Sequence, residues 1–171
     1  MNAFDLGTLA MRIALGVVFV AHGVNHVALG GRIDGTARWF ESLGMRPGWL
    51  HAWTASLTEL GAGVLLLVGF AVPVACAGVI GTMTVALVTN HLKNGFFIFR
   101  PGEGYEYVLT LILFAFGVSA LGSGKVSIDH ALGIFTPPGW AGPLLAAALG
   151  FGGAAALLAV FWRPRPRGVT G

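Results

Sequence analysis

His22 and His26 stand four residues apart in the stretch FVAHGVNHVALGGRID, residues 19–34, where an apolar run gives way to charge. That spacing is about one helical turn, so the two imidazoles share a face. Glu59 sits in the middle of a second apolar run, His91 ends a third, Glu103 and Glu106 open a fourth, and Arg12 lies early in the first. Imidazole is an acid, a base and a metal ligand near neutrality, and a carboxylate relays protons or pairs with a cation. Ionisable side chains at membrane depth are costly, so by default they are functional-site candidates or partners of one another. Arg12, His22, His26, Glu59, His91, Glu103 and Glu106 are therefore the ligand-binding or proton-relay candidates. Three histidines across two helices would also fit zinc or iron, and two on facing helices a b-type haem. Neither pattern is specific, and no metal or haem is expected. Walker loops, dinucleotide fingerprints, GxSxG and HExxH do not occur in the sequence.

The elements that must position these residues are membrane helices. The 171 residues are 56% hydrophobic and 10% charged, against about 25% charged in soluble domains. Mean hydropathy is +0.80. Five apolar runs, at 6–26, 49–70, 72–92, 105–122 and 141–162, approach the ~20 residues that cross a bilayer core. None alternates as a barrel strand does. The expected fold is all-α: a four-helix transmembrane bundle over residues 1–132, then a linker, a fifth transmembrane helix and a basic tail over 133–171. The first run lacks a basic leader and carries Arg12, so it is expected to stay as a helix rather than be cleaved. The single cysteine, Cys76, forms no internal disulfide and is expected to be a small core residue.

Charge sets the orientation. If the chain starts on side A, the loops 27–48 and 93–104 and the tail 163–171 lie on side B. Side B then carries Arg32, Arg38, Arg46, Lys93, Arg100 and the RPRPR tail, and the loops of side A carry only Lys125. The positive-inside rule makes side B cytoplasmic and the N-terminus external, in a multi-pass protein of the bacterial plasma membrane. The net charge of +3 is a topology signal, and no nucleic-acid partner is expected.

Within this frame, Arg12, Gly16, Phe19, His22, Gly23 and His26 share about a third of the first helix's circumference at 100° per residue. Arg12 and Glu59 differ in depth by roughly 6 Å at 1.5 Å per residue, and a buried Arg12–Glu59 pair is expected. His22, His26, His91, Glu103 and Glu106 are expected to converge at the side-B mouth, with Glu59 deeper. The stretch from Gly35 to Leu43 reads as a short amphipathic helix on the membrane surface. GFAVPV reads as a tight side-A turn, and GSGKVSIDHALGIFTPPG, residues 122–139, as the boundary before the last helix.

The ordered set RIALGVVFVAHGVNHV, WFESLGM, LTELGAGVLLLVG, HLKNGFF, GEGYEYVLTLIL and GSGKVSIDHAL, across residues 12–132, resembles the DoxX family of small bacterial membrane proteins. The resemblance implies a four-helix membrane bundle. Some members of that family look like subunits of a thiosulfate:quinone oxidoreductase, and others are linked to membrane-associated redox and thiol-stress complexes. The family's polar positions carry over to Arg12, His22, Glu59, His91 and Glu106. Two departures stand out: His26 replaces the usual lysine, and the helix at 141–162 lies beyond the family pattern.

Three function classes fit. The first is a quinone-interacting subunit of a membrane redox complex, with quinone as the expected ligand and the electron donor on a protein partner. The second is a non-catalytic scaffold that recruits a soluble enzyme through loop 30–48 and the basic tail. The third is a small-molecule permease, which with so few helices would need a homo-oligomer.

Overall fold

The structure, a computed structural model, describes residues 1–29, 31–134 and 137–164. Arg165 and Arg167, part of the expected basic tail, lie outside the described residues. Helix α1 (Ala3–Ala28) opens with a reciprocal cap: the Asp5 N–H donates to Asn2 Oδ1 at 2.9 Å and the Asn2 N–H to Asp5 Oδ2 at 3.0 Å. Helix α2 (Arg32–Ser42) follows, starting three residues before the amphipathic helix read from sequence. It buries Phe40, and Trp39 stays outward. Helix α3 (Gly48–Val68) ends at Gly69, whose φ of 69° is the left-handed cap glycine tolerates best. Helix α4 (Val72–Ala86) has proline in its first turn and runs into a π-helical turn, Leu87–His91, and a 3₁₀ turn, Leu92–Asn94. Helices α5 (Glu106–Leu121), α6 (Ile128–Ala131) and α7 (Ala141–Phe161) complete the chain.

The protein is thus an all-α, multi-pass membrane protein. Helices α1, α3, α4 with its two following turns, and α7 are long and apolar enough to cross a bilayer, while α5 has only 16 residues. At 1.5 Å per residue α5 covers about 24 Å, less than the ~30 Å hydrocarbon core.

Lipid tails are as apolar as leucine, so these helices associate through close packing. A Cβ on Gly16 would sit 2.9 Å from Gly63 O, and one on Gly63 would sit 2.8 Å from Gly16 O. A Cβ on Gly23 would meet Leu60 at 2.7 Å. The α1–α3 crossing therefore works at glycine distance. The α4–α7 crossing does likewise at Gly150, where a Cβ would lie 2.8 Å from Ile80. Around these contacts Leu15, Phe19, Leu66, Ile80, Val79 and Val118 form the core. Gly63→Leu is expected to destabilise the fold by about 2–3 kcal/mol through overpacking, read as a lower thermal midpoint in detergent. Gly61→Ala, whose Cβ meets nothing within 4 Å, should leave that midpoint within about 1 °C; an equal drop in both would refute the close crossing.

Each end of the bundle is fastened. On side A, Asp129 of α6 accepts from the Ala71 N–H at 2.8 Å and the Val72 N–H at 3.3 Å, capping α4 from far along the chain. On side B, the Arg163 N–H donates to Gly44 O at 2.8 Å, the Arg46 N–H to Phe161 O at 3.2 Å, and Trp162 Nε1–H to Leu43 O at 3.0 Å. This clasp ties the end of α7 to the α2–α3 turn.

Candidate functional site

Helix direction decides which polar groups meet. Every Cα–Cβ bond tilts toward its helix's N-terminus. Side chains of α1 therefore lean toward side A, and those of the antiparallel α3 lean toward side B. Arg12 and Glu59 lean apart, and the expected pair does not form. The Arg12 guanidinium instead donates through Nη1 to Leu66 O at 3.0 Å and through Nη2 to Val126 O. It fills the space a side chain on Gly69 would need, at 1% exposure. The same tilt brings His26 down and Glu59 up, and His26 Nδ1 lies 3.1 Å from Glu59 Oε2. The two atoms are close but misaligned, so neither has a hydrogen-bond partner. Glu59 is 3% exposed.

His26 and Glu59 border a cavity of about 1000 Å³, at the upper end of the range for ligand pockets. His22, His91 and Glu103 border it as well. Five of the seven candidates thus surround one space. Arg12 belongs to the side-A fastening, and Glu106 does not reach the cavity; its carbonyl accepts the Thr110 hydroxyl at 2.7 Å.

His91 owes its position to the π turn, a feature frequent at functional sites. Its Nδ1 lies 3.0 Å from Glu103 O. A carbonyl only accepts, so Nδ1 carries a proton. Asn94 Nδ2 donates to Glu103 O at 3.0 Å, binding the segment before α5 to the 3₁₀ turn. Glu103 thus works through its backbone, held at φ 61°, while its side chain is exposed.

Two groups were missed from sequence. His51 is 3% exposed, borders the cavity and has no partner at Nε2. Its ring stands edge-on to Phe161 at 5.1 Å. The signal was present: His51 precedes Glu59 by eight residues, about two turns up a neighbouring part of the same helix. Asp129 carried no such signal, because its role depends on backbone amides 57 and 58 residues away. Among the described residues, no group of three or more His, Cys, Asp or Glu stands where it could hold a metal ion.

Away from these groups the cavity turns apolar. It runs between α3 and α7 across α4, past Gly61, Leu65, Gly78, Gly81, Gly150 and Gly153. Its rim is formed by Leu57 and Leu149, half or more exposed on the lipid-facing surface.

Comparison with known proteins agrees with this architecture. The DoxX family model matches residues 7–92, which hold α1 to α4, the π turn and the residues Arg12, His22, His26, Glu59 and His91. The chain is similar to a Bacillus subtilis (strain 168) protein named "Putative oxidoreductase CatD", at 29% identity over 130 residues, 75% of this chain and 88% of that one. No solved structure matches it. With half its length under the family model, the chain belongs to the DoxX family.

Proposed function

We propose that the protein is the quinone-interacting, membrane-embedded subunit of a redox complex in the bacterial plasma membrane. The observation that carries this reading is the cavity's chemistry: apolar walls, with His26 Nδ1 and Glu59 Oε2 at one end, 3.1 Å apart and neither making a hydrogen bond. A quinone carbonyl accepts hydrogen bonds, so it suits an imidazole N–H. A quinol hydroxyl donates, so it suits a carboxylate. Reduction takes up two electrons and two protons. Glu59 and His26 are placed to pass protons between the ring and the side-B mouth. The electrons come from a protein partner that oxidises a reduced sulfur compound, thiosulfate or a thiol. The oxidoreductase name of the Bacillus relative favours this class. The Arg and Lys residues of side B favour a cytoplasmic mouth and an external N-terminus.

Purification in mild detergent and mass spectrometry of the organic extract test the reading. The expected result is near-stoichiometric quinone, lost in Glu59→Gln, which keeps the side chain's shape and removes its charge. An extract of bulk phospholipid alone would overturn it and turn attention to a scaffold role.

A further inference from the structure

The apolar arm of the cavity has no role in the chemistry at its polar end. Helices α3 and α7 both pack on α4 and leave a trough between them. The trough's surface is unusually bare. A Cβ on Gly61 or Gly153 would meet nothing within 4 Å, and both residues border the cavity. At the side-B end the clasp between Leu43 and Trp162 closes the trough. Toward mid-bilayer it opens past Leu57 and Leu149.

We propose that this trough holds the hydrocarbon tail of a single-chain amphiphile whose neutral, carbonyl-bearing ring sits in the cavity beside His26 and Glu59. The inference rests on the quinone reading and adds an entry route from the lipid, with α7 as one wall. Three observations select the occupant. First, no Arg or Lys borders the cavity and a carboxylate does, which disfavours the phosphate of a phospholipid. Second, His51 Nε2 is buried, has no hydrogen-bond partner and borders the same space, so a polar head there has a buried group to meet. Third, the trough is lined by Gly61, Leu65, Gly78, Gly81, Gly150 and Gly153, apolar residues that suit a hydrocarbon chain. A tail leaving lipid gains little hydrophobic free energy, so the trough acts by shape.

The test uses the full chain in nanodiscs and two probes: menaquinone with a long isoprenoid tail, and menadione, the same ring system without it. Binding is read by quenching of tryptophan fluorescence, Trp39 being at the cavity's edge. Gly153→Leu fills the trough without a clash at its Cβ. Gly152→Leu is the control, since its Cβ also meets nothing but it does not border the cavity. The expected result is that Gly153→Leu weakens menaquinone at least tenfold, leaves menadione within twofold, and that Gly152→Leu changes neither. If Gly153→Leu leaves menaquinone within twofold, or weakens both probes equally, the tail site is refuted and the ring site stands. If neither probe binds the native protein, the quinone reading falls and the tail site with it.

Discussion

Arg12→Met should lower stability by about 3 kcal/mol or more. The guanidinium reaches from α1 to the carbonyls of Leu66 and Val126, and a hydrogen bond to a charged group contributes about 1.5–3 kcal/mol. Methionine fills much of the volume and restores neither bond, leaving two carbonyls unmet at the bundle's side-A end. Asp129 is also 1% exposed, and its carboxylate loses the nearby positive charge. The unfolding midpoint in detergent should fall by roughly 10 °C, at about 2–4 °C per kcal/mol for a chain of this size. Arg12→Lys should recover little, because one ammonium lacks the planar fork that meets two separated acceptors. A loss under about 1 kcal/mol would show that α1 is not fastened through this residue.

A second large effect is expected at His26 and Glu59, and its signature is non-additivity. His26→Leu leaves Glu59 without a basic neighbour, and breaking a buried pair from one side costs about 3–5 kcal/mol. The polar cavity lowers that figure, and about 3 kcal/mol is expected. The double change His26→Leu with Glu59→Leu removes both polar groups and should be more stable than His26→Leu alone by at least about 1 kcal/mol. His26→Lys should keep most of the native stability, since an ammonium also offers charge to Glu59. Additive losses in the double variant would mean the 3.1 Å approach carries no coupling. Thermal midpoints of the four proteins, measured in one detergent, decide the matter.

These residues also mark what the sequence conveys. The apolar runs at 6–26, 49–70, 72–92 and 141–162 become helices within a few residues, because length and hydropathy alone dictate them in a bilayer. The convergence of His22, His26, Glu59, His91 and Glu103 was legible too, since helical period and antiparallel connection fix both face and depth. The Arg12–Glu59 expectation failed on a smaller geometric point. Depth was reckoned from Cα positions, and the opposite tilt of Cβ bonds on antiparallel helices sends those two side chains apart. The π turn at 87–91 has no Gly or Pro to announce it. Asp129 has no local pattern, because its partners are backbone amides brought near by the fold.

The clasp between Trp162 and Leu43 has a consequence for biogenesis. The segment from Leu43 to Arg46 leaves the ribosome more than a hundred residues before its partners at the end of α7. Until α7 is inserted, the Gly81 face of α4, which Gly150 covers in the finished fold, has only lipid against it. Of the pocket's walls α7 is therefore synthesised after the others, and newly inserted chains pass through a stage in which the helices that carry the buried polar groups are in place while the trough beside them is still unwalled.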